Sequence, residues 1–425
     1  ELESLPTGGW GYDHFPLYAR YAETLGLKYL GMTGKFHTTW GEFGGYKHPN
    51  ALRYETALSL AHGARCSIGD QLHPDGKMDE ATYTLIGAAY AEVEAKEPWC
   101  VDTENVADVA LLSLEAQLSY AHGLPDTRHI HADAGAVRML IEGKLLFDVI
   151  DREADFGKYK LIILPDAIPV DDALLAKLRP FLAAGGKVLA TGRSGLNEAG
   201  DAFALRLGAR WIETNPYRPS YFRPSFSVAG LPPASFVMYS EGQRVELAEG
   251  GISHGDRENP YFNRDIFTFS SHQHTPNRRE SDGPGITEGE DGIYIGWNVF
   301  EDYATKGSLV LREMVLYAVN RLLARPTLRT SLPAQGVATL RKQPGERRWI
   351  AHLLYASPVK RGDGVEVIED LIPLRNVAVE AVVPEPVREV YLAPSGEKLA
   401  FGQADGVVRL TVPEMTSHAM VVLQF

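Results

Sequence analysis

Lys160-Leu161-Ile162-Ile163-Leu164-Pro165 holds four consecutive aliphatic residues stopped by a proline. A run this short, with no polar alternation, reads as a strand covered on both faces, as in a parallel sheet. The next thirty or so residues agree: Asp171 to Ala184 carries apolar residues at helical spacing, Gly185-Gly186 ends the helix, and Lys187-Val188-Leu189-Ala190-Thr191 is a second strand. Strand, helix, glycine stop and strand imply a doubly wound, flavodoxin-like α/β architecture.

Working outward, residues 101 to about 210 continue this βα series, with a helix over Val106 to Ala121 and a helical stretch within Gly135 to Ile150. From about 212 to 290 the composition shifts to Pro, Gly, Ser, Asn and aromatic residues with weak periodicity, which predicts an insertion of loops and short strands. The α/β pattern returns with Gly292-Ile293-Tyr294-Ile295-Gly296-Trp297 and a helix over Ser308 to Leu323. After Pro326 apolar and polar residues alternate between turns at Pro344-Gly345, Pro394-Ser395-Gly396 and Asp405-Gly406, the pattern of a terminal β-sandwich. Before residue 101, Leu27-Lys28-Tyr29-Leu30-Gly31-Met32 and Ala64-Arg65-Cys66-Ser67-Ile68 read as strands, and Ala51 to His62 and Asp79 to Ala95 as helices. In such βα repeats the residues just after a strand lie at the C-terminal rim, where barrel enzymes keep their chemistry.

A length of 425 residues suggests about three folding units. The net charge of −13 argues against nucleic acid or an anionic membrane as partner, since both require a basic patch. Two cysteines, Cys66 and Cys100, are too few for a disulfide framework, so a reducing, cytoplasmic setting is expected. No apolar run has the ~18 residues of a membrane span. The chain begins Glu1-Leu2-Glu3 rather than with methionine, which suggests that Glu1 is not the natural start of the gene product.

Three clusters follow strand-like runs. In the first, Glu1 to His14, Glu1 and Glu3 share one strand face, ahead of a Gly-rich loop with Trp10, Tyr12 and His14. Aromatic faces pack on the C–H surface of a pyranose, and carboxylates and His bind its hydroxyls, although a solvated acidic strand start accounts for the same residues. In the second, Thr33 to Tyr46, Glu42 stands among glycines and aromatic rings with His37 and Trp40 nearby. Desolvation there would raise its pKa toward that of a general acid; an ordinary acidic loop or helix-capping residue is the competing reading. The third, Gly69 to Gly76, offers Asp70, Gln71 and His73 to a sugar pocket, while Asp75-Gly76 is more simply a turn.

Other motifs carry less. His129-x-His131 and His272-x-His274 have a spacing that a metal can use, but neither has a carboxylate or thiolate companion at a diagnostic distance, so no metal is expected. Thr191-Gly192-Arg193-Ser194-Gly195 lacks the full nucleophile-turn pattern, and no phosphate-binding glycine motif occurs, so no cofactor is expected. Around Tyr261-Phe262-Asn263-Arg264 and Ser271-His272-Gln273-His274-Thr275-Pro276 the polar and aromatic density fits either a surface loop or a segment reaching a barrel mouth in the same or a neighbouring subunit.

The blocks Glu3 to Tyr12, Thr33 to Gly45, Ala64 to Pro74 and Glu97-Pro98-Trp99 resemble the barrel end of glycoside hydrolase family 151, to which α-L-fucosidase activity is assigned. Residues from about 103 to 325 resemble the trimerisation domain of family 42 β-galactosidases, a flavodoxin- or amidotransferase-like fold; the strand Leu161 to Pro165 and the unit around Gly185-Gly186-Lys187 carry that likeness. The resemblance implies that residues 1–101 are the last strands of a catalytic (β/α)₈ TIM barrel, about the sixth to the eighth. Residues 102–325 would then be a trimerisation-type α/β domain, and 326–425 an antiparallel β-sandwich. It further implies a homo-oligomer, by likeness a trimer, acting on carbohydrate. In related fucosidases the nucleophile is an Asp ending an earlier strand, and nothing here matches it.

The expected function is therefore an exo-acting, retaining α-L-fucosidase, of which this chain is a fragment or processed part. Glu3 or Glu42 is the candidate general acid/base, with Glu3 preferred because it ends a strand. Trp10, Tyr12, His14, His37, Trp40, Asp70 and His73 are the candidate substrate-binding residues. Two rivals stand beside it: a β-galactosidase-like glycosidase, and a non-catalytic carbohydrate-binding or assembly protein.

Overall fold

The computed structural model describes residues 1–122 and 131–425, and the chain divides into two compact units. The first comprises Glu1–Asp108, Leu140–Asp148 and Pro326–Phe425, and the second Val109–Met139 and Val149–Arg325. Both are α/β in content, with helices and several sheets.

The first unit opens with three parallel strands, β1 (Leu2–Glu3), β2 (Leu30–Gly34) and β3 (Arg65–Gly69), paired in that order. Helices α1 (His14–Thr24) and α2 (Pro49–Ala61) connect them, and α3 (Glu80–Lys96) follows β3. Local chemistry explains the boundaries. His48 accepts from the backbone N–H of Asn50 and Pro49 opens α2, where its missing N–H costs nothing. Asp79 accepts from Ala81 N and caps α3. The strand expected over Leu27 to Met32 begins three residues later than its apolar pattern suggests. Gly26 turns the chain at φ +69°, and Leu27, 69 % exposed, belongs to the connection rather than the sheet.

The C-terminal part of this unit is antiparallel. A four-stranded sheet runs in the order Leu328–Thr330, Leu374–Val382, Val407–Met415, Phe401–Ala404. A six-stranded sheet includes Val337–Gln343, Arg348–Leu354 and His418–Gln424. Val377, Val379 and Ala381 alternate with less buried neighbours, as do Val408, Leu410 and Val412. They meet Leu340, Ala351, Leu353, Val421 and Leu423 in one core. This half is tied to the helices by Arg341, which reaches both carboxylate oxygens of Glu23 at 2.6 and 3.2 Å, and by the Thr339 hydroxyl donating to Ala61 O.

In the second unit, Leu161–Leu164 and Lys187–Thr191 form adjacent parallel strands of a seven-stranded sheet, as their apolar runs predict. The helix between them, Asp172–Ala183, is capped by Asp171, which accepts from Leu174 N at 2.8 Å. The helix expected over Val106 to Ala121 is two elements. Val109–Leu112 is a fully buried strand paired with Leu161–Leu164, and a helix follows from Leu114 once the Ser113 hydroxyl accepts from Ala116 N. An apolar run of four suits either conformation, and burial on both faces selects the strand. The insertion forms a four-stranded and a two-stranded sheet, but it also returns Ile286–Glu288 and, at the sheet edge, Ile252–Ser253 to the large sheet as antiparallel strands. The α/β sheet therefore resumes earlier than Gly292.

Candidate active site

Register decides which side chains can work together. Residues paired across parallel strands point to the same face, so Leu2, Gly31 and Cys66 share one side and Glu3, Met32 and Ser67 the other. The first side is covered: a side chain at Gly31 would run into Phe15 of α1 and Ser59 of α2. Glu3 ends β1 on the opposite side, exposed, and its carboxylate has no hydrogen-bond partner among the described residues.

Trp40 lies across the ends of two strands on that same open side. A side chain at Gly34 or at Gly69 would collide with its indole, which explains the need for glycine at both strand ends. Its ring meets Phe36 edge-on, with centroids 5.5 Å apart, and its Nε1 is buried without a partner among the described residues. A buried donor left unpaired is costly, which makes this atom a candidate to meet a ligand hydroxyl.

Glu42 behaves differently from the expectation. Its Oε2 accepts from Thr38 N at 2.9 Å, Thr39 N at 3.2 Å and the Thr38 hydroxyl at 3.4 Å. The Thr38 amide leads in holding this carboxyl below the usual carboxylate range, outweighing a smaller upward push from desolvation. The anticipated upward shift is thus reversed, because the loop turns its own N–H groups onto the carboxylate.

The remaining candidates separate. Tyr12 turns to the helix-covered side, where its hydroxyl donates to Glu55 Oε1 at 3.1 Å; burial first, then the Glu55 charge, push its pKa up. His14 opens α1 with Nδ1 3.3 Å from the Ser4 hydroxyl and its ring between Trp10 and Tyr18, each 4.7 Å away; burial lowers its pKa. Trp10 itself is 41 % exposed. His37 is half-buried beside Glu42, and its charge helps hold that carboxyl down. Asp70 directly follows β3 and is half-buried, while His73 is exposed with its ring 5.0 Å from that of Phe43. Register therefore unites Glu3 and Trp40 on the open side, whereas Tyr12 belongs to the layer behind it.

Behind the rim lies a network that no motif announces. Lys47 Nζ, fully buried, donates to Glu55 Oε2 at 2.6 Å and Thr33 Oγ1 at 2.8 Å, and the Thr33 hydroxyl donates to the same Glu55 oxygen at 2.5 Å. With Tyr12 on the other oxygen, one carboxylate ties the loop after β1, strand β2, the loop after β2 and helix α2 together. Burial pulls the Lys47 pKa down, and the Glu55 charge opposes it. The one signal in the sequence is Glu55 itself, an acidic residue midway between Leu52 and Leu58 on the apolar stripe of α2.

Other chemistry is sparse. Burial pushes the thiols of Cys66 and Cys100 up to about 12, so neither is a thiolate at neutral pH. Among the described residues no group of three or more His, Cys, Asp or Glu could hold a metal; His129 lies outside them. Among the described residues, too, no helix is long and apolar enough to cross a membrane.

Likeness to known proteins first defines a class. Residues 137–208 match the β-galactosidase trimerisation domain, and solved β-galactosidases share the fold. Gan42B, a GH42 β-galactosidase from G. stearothermophilus, superposes with a TM-score of 0.65 at 16 % identity, over 100 % of this chain and 59 % of that one. The β-galactosidase from Bacillus circulans sp. alkalophilus does so at 0.65 and 14 %, over 97 % of this chain and 58 % of that one. The particular likeness is to α-L-fucosidase isoenzyme 2 from Paenibacillus thiaminolyticus: 59 % identity over 100 % of this chain, with a TM-score of 0.96. The chain is thus similar over its whole length to that α-L-fucosidase, includes a segment matching the β-galactosidase trimerisation domain, and spans 65 % of that relative's length. No curated protein matches the chain.

Proposed function

We propose that this chain is the C-terminal part of a family 151 glycoside hydrolase that removes terminal α-L-fucose with retention. The observation that carries the reading is the end-to-end likeness to α-L-fucosidase isoenzyme 2, 59 % identical at a TM-score of 0.96. In this reading β1, β2 and β3 are strands six to eight of a TIM barrel within residues 1–101. Residues 102–325 are the flavodoxin-like trimerisation domain, and 326–425 a β-sandwich. The protein works as a cytoplasmic homo-oligomer, a trimer by likeness.

The chemistry assigned to Glu3 is that of general acid/base. It protonates the glycosidic oxygen as a carboxylate from an earlier strand attacks the anomeric carbon, then takes a proton from the water that releases the sugar. The two carboxyls must stand about 5 Å apart for this mechanism. Exposure on the open side of the sheet, with no partner to occupy it, supports Glu3 over Glu42, whose oxygen is already engaged by three donors of its own loop. Trp40 supplies an aromatic face and a free indole N–H, Asp70 and His37 hydroxyl-binding groups, and Trp10 and His73 the outer surface. Tyr12 and His14 support the loop that carries Trp10.

The test uses the protein together with the barrel strands proposed to precede Glu1, on a panel of nitrophenyl glycosides. Release from the α-L-fucoside well above the β-galactoside is the expected result. Preference for the galactoside would transfer the site to the alternative glycosidase, and binding of sugar without any hydrolysis would make it a carbohydrate-binding protein.

A further inference from the structure

Within the first unit, the C-terminal half sends a hairpin, Val359–Gly362 paired with Val365–Val367, onto the loop that follows β1. The contact is between backbones. Gly9 and Gly364 both adopt left-handed conformations, at φ +91° and +68°, and a Cβ on Gly364 would lie 3.6 Å from Gly9 Cα. Two residues further along each segment, a Cβ on Gly11 would lie 3.8 Å from the Glu366 carboxylate. The base of the hairpin is fixed as well. Asn50, at the start of α2, donates to Glu369 O at 2.6 Å, and Arg361 grips the Glu369 carboxylate at 2.5 and 2.8 Å.

These anchors bring the hairpin to the rim, beside Gly9-Trp10-Gly11. Lys360 and Asp363 remain exposed and have no partner among the described residues, on the hairpin whose Gly364 meets Gly9, the residue before the exposed Trp10. The position is outward of the strand end: Glu3 closes β1, whereas the hairpin meets the loop beyond it. A terminal sugar held between two carboxyls would sit at the strand ends, so groups on the outer loop meet what is attached to that sugar.

We infer that the hairpin 359–367 is the outer wall of the site and binds the saccharide on the leaving-group side of the scissile bond. Lys360 and Asp363 hydrogen-bond its hydroxyls and Trp10 packs on its ring. The inference rests on the fucosidase reading above.

The experiment compares two substrates with the active, complete protein: nitrophenyl α-L-fucoside, which has no leaving-group sugar, and a fucosylated oligosaccharide. Lys360→Ala/Asp363→Ala is expected to raise KM for the oligosaccharide about 5- to 10-fold, the worth of one or two hydrogen bonds. On the nitrophenyl substrate kcat and KM stay unchanged, with an unaltered thermal midpoint. Equal losses on both substrates, or no change on the oligosaccharide, would overturn the assignment. An unaltered enzyme that cleaves neither fucoside removes the functional reading, and this inference goes with it.

Discussion

Glu3 and Asp166 occupy equivalent places at the ends of parallel strands in two different sheets, each a carboxylate at the C-terminal end of a strand, and their surroundings could hardly differ more. Asp166, just past Leu161–Leu164, is enclosed: it accepts from the Thr191 hydroxyl at 2.7 Å and from the N–H groups of Phe300 and Glu301 at the start of helix Val299–Lys306. Burial pushes its pKa up to about 7 despite those donors. Glu3 has neither cover nor partner among the described residues. Topology supplies the location in both sheets, and what is packed above the strand end decides between a structural plug and an available group. Polar satisfaction marks the first and its absence the second.

The largest effect that would sharpen this contrast is on catalysis. In the complete protein Glu3→Gln is expected to lower kcat/KM for nitrophenyl α-L-fucoside about a thousandfold, the scale of a lost general acid. Glu42→Gln should cost roughly tenfold or less, through its loop alone. The reverse ranking in steady-state kinetics would move the acid/base role to Glu42.

Next in size is the packing of the two sheets. Ile163, fully buried, should lose about 3 kcal/mol as Ile163→Ala, whereas half-buried Met32, on the open side of β2, should lose roughly 1 kcal/mol as Met32→Ala. Urea denaturation of each variant measures this, and equal losses would mean that the face bearing Glu3 is closed in solution.

A pH slope tests the enclosed carboxylate itself. An unfolded Asp titrates near ~3.9, so a folded value of about 7 means that the native state holds the extra proton between these limits. The contribution of Asp166 to stability therefore declines as pH rises from roughly 4 to 7 and is flat above. Asp166→Asn should remove that part of the decline, seen by comparing denaturation midpoints at pH 4.5 and 8. An unchanged slope would show that Asp166 is not enclosed in this way.

Much of the fold is legible in the residues. The strand over Leu161–Leu164, its capped helix and the strand over Lys187–Thr191 follow from apolar runs and from Asp171 and Gly185-Gly186, since both strands are buried on two faces. Val109–Leu112 escapes the same reading because four apolar residues beside a helix carry no period of their own. At the site, residue types near strand ends point to the rim, but side-chain direction does not follow from spacing. Tyr12 and Trp40 are both aromatic residues in glycine-rich loops, yet one turns back to Glu55 and the other lies over Gly34 and Gly69. Pairing register between strands far apart in the chain, and the Tyr12–Glu55 bond 43 residues apart, make that difference, and both depend on partners distant in sequence.

The anchor from Asn50 to Glu369 joins positions 319 residues apart, which has a consequence for timing. At synthesis rates of about 5–20 residues per second, the rim loop and the start of α2 wait roughly 15–60 s for the hairpin that braces them. Throughout that interval the nascent rim is unbraced. The steadying of the rim loop is thus scheduled by residues that leave the ribosome long after the loop itself.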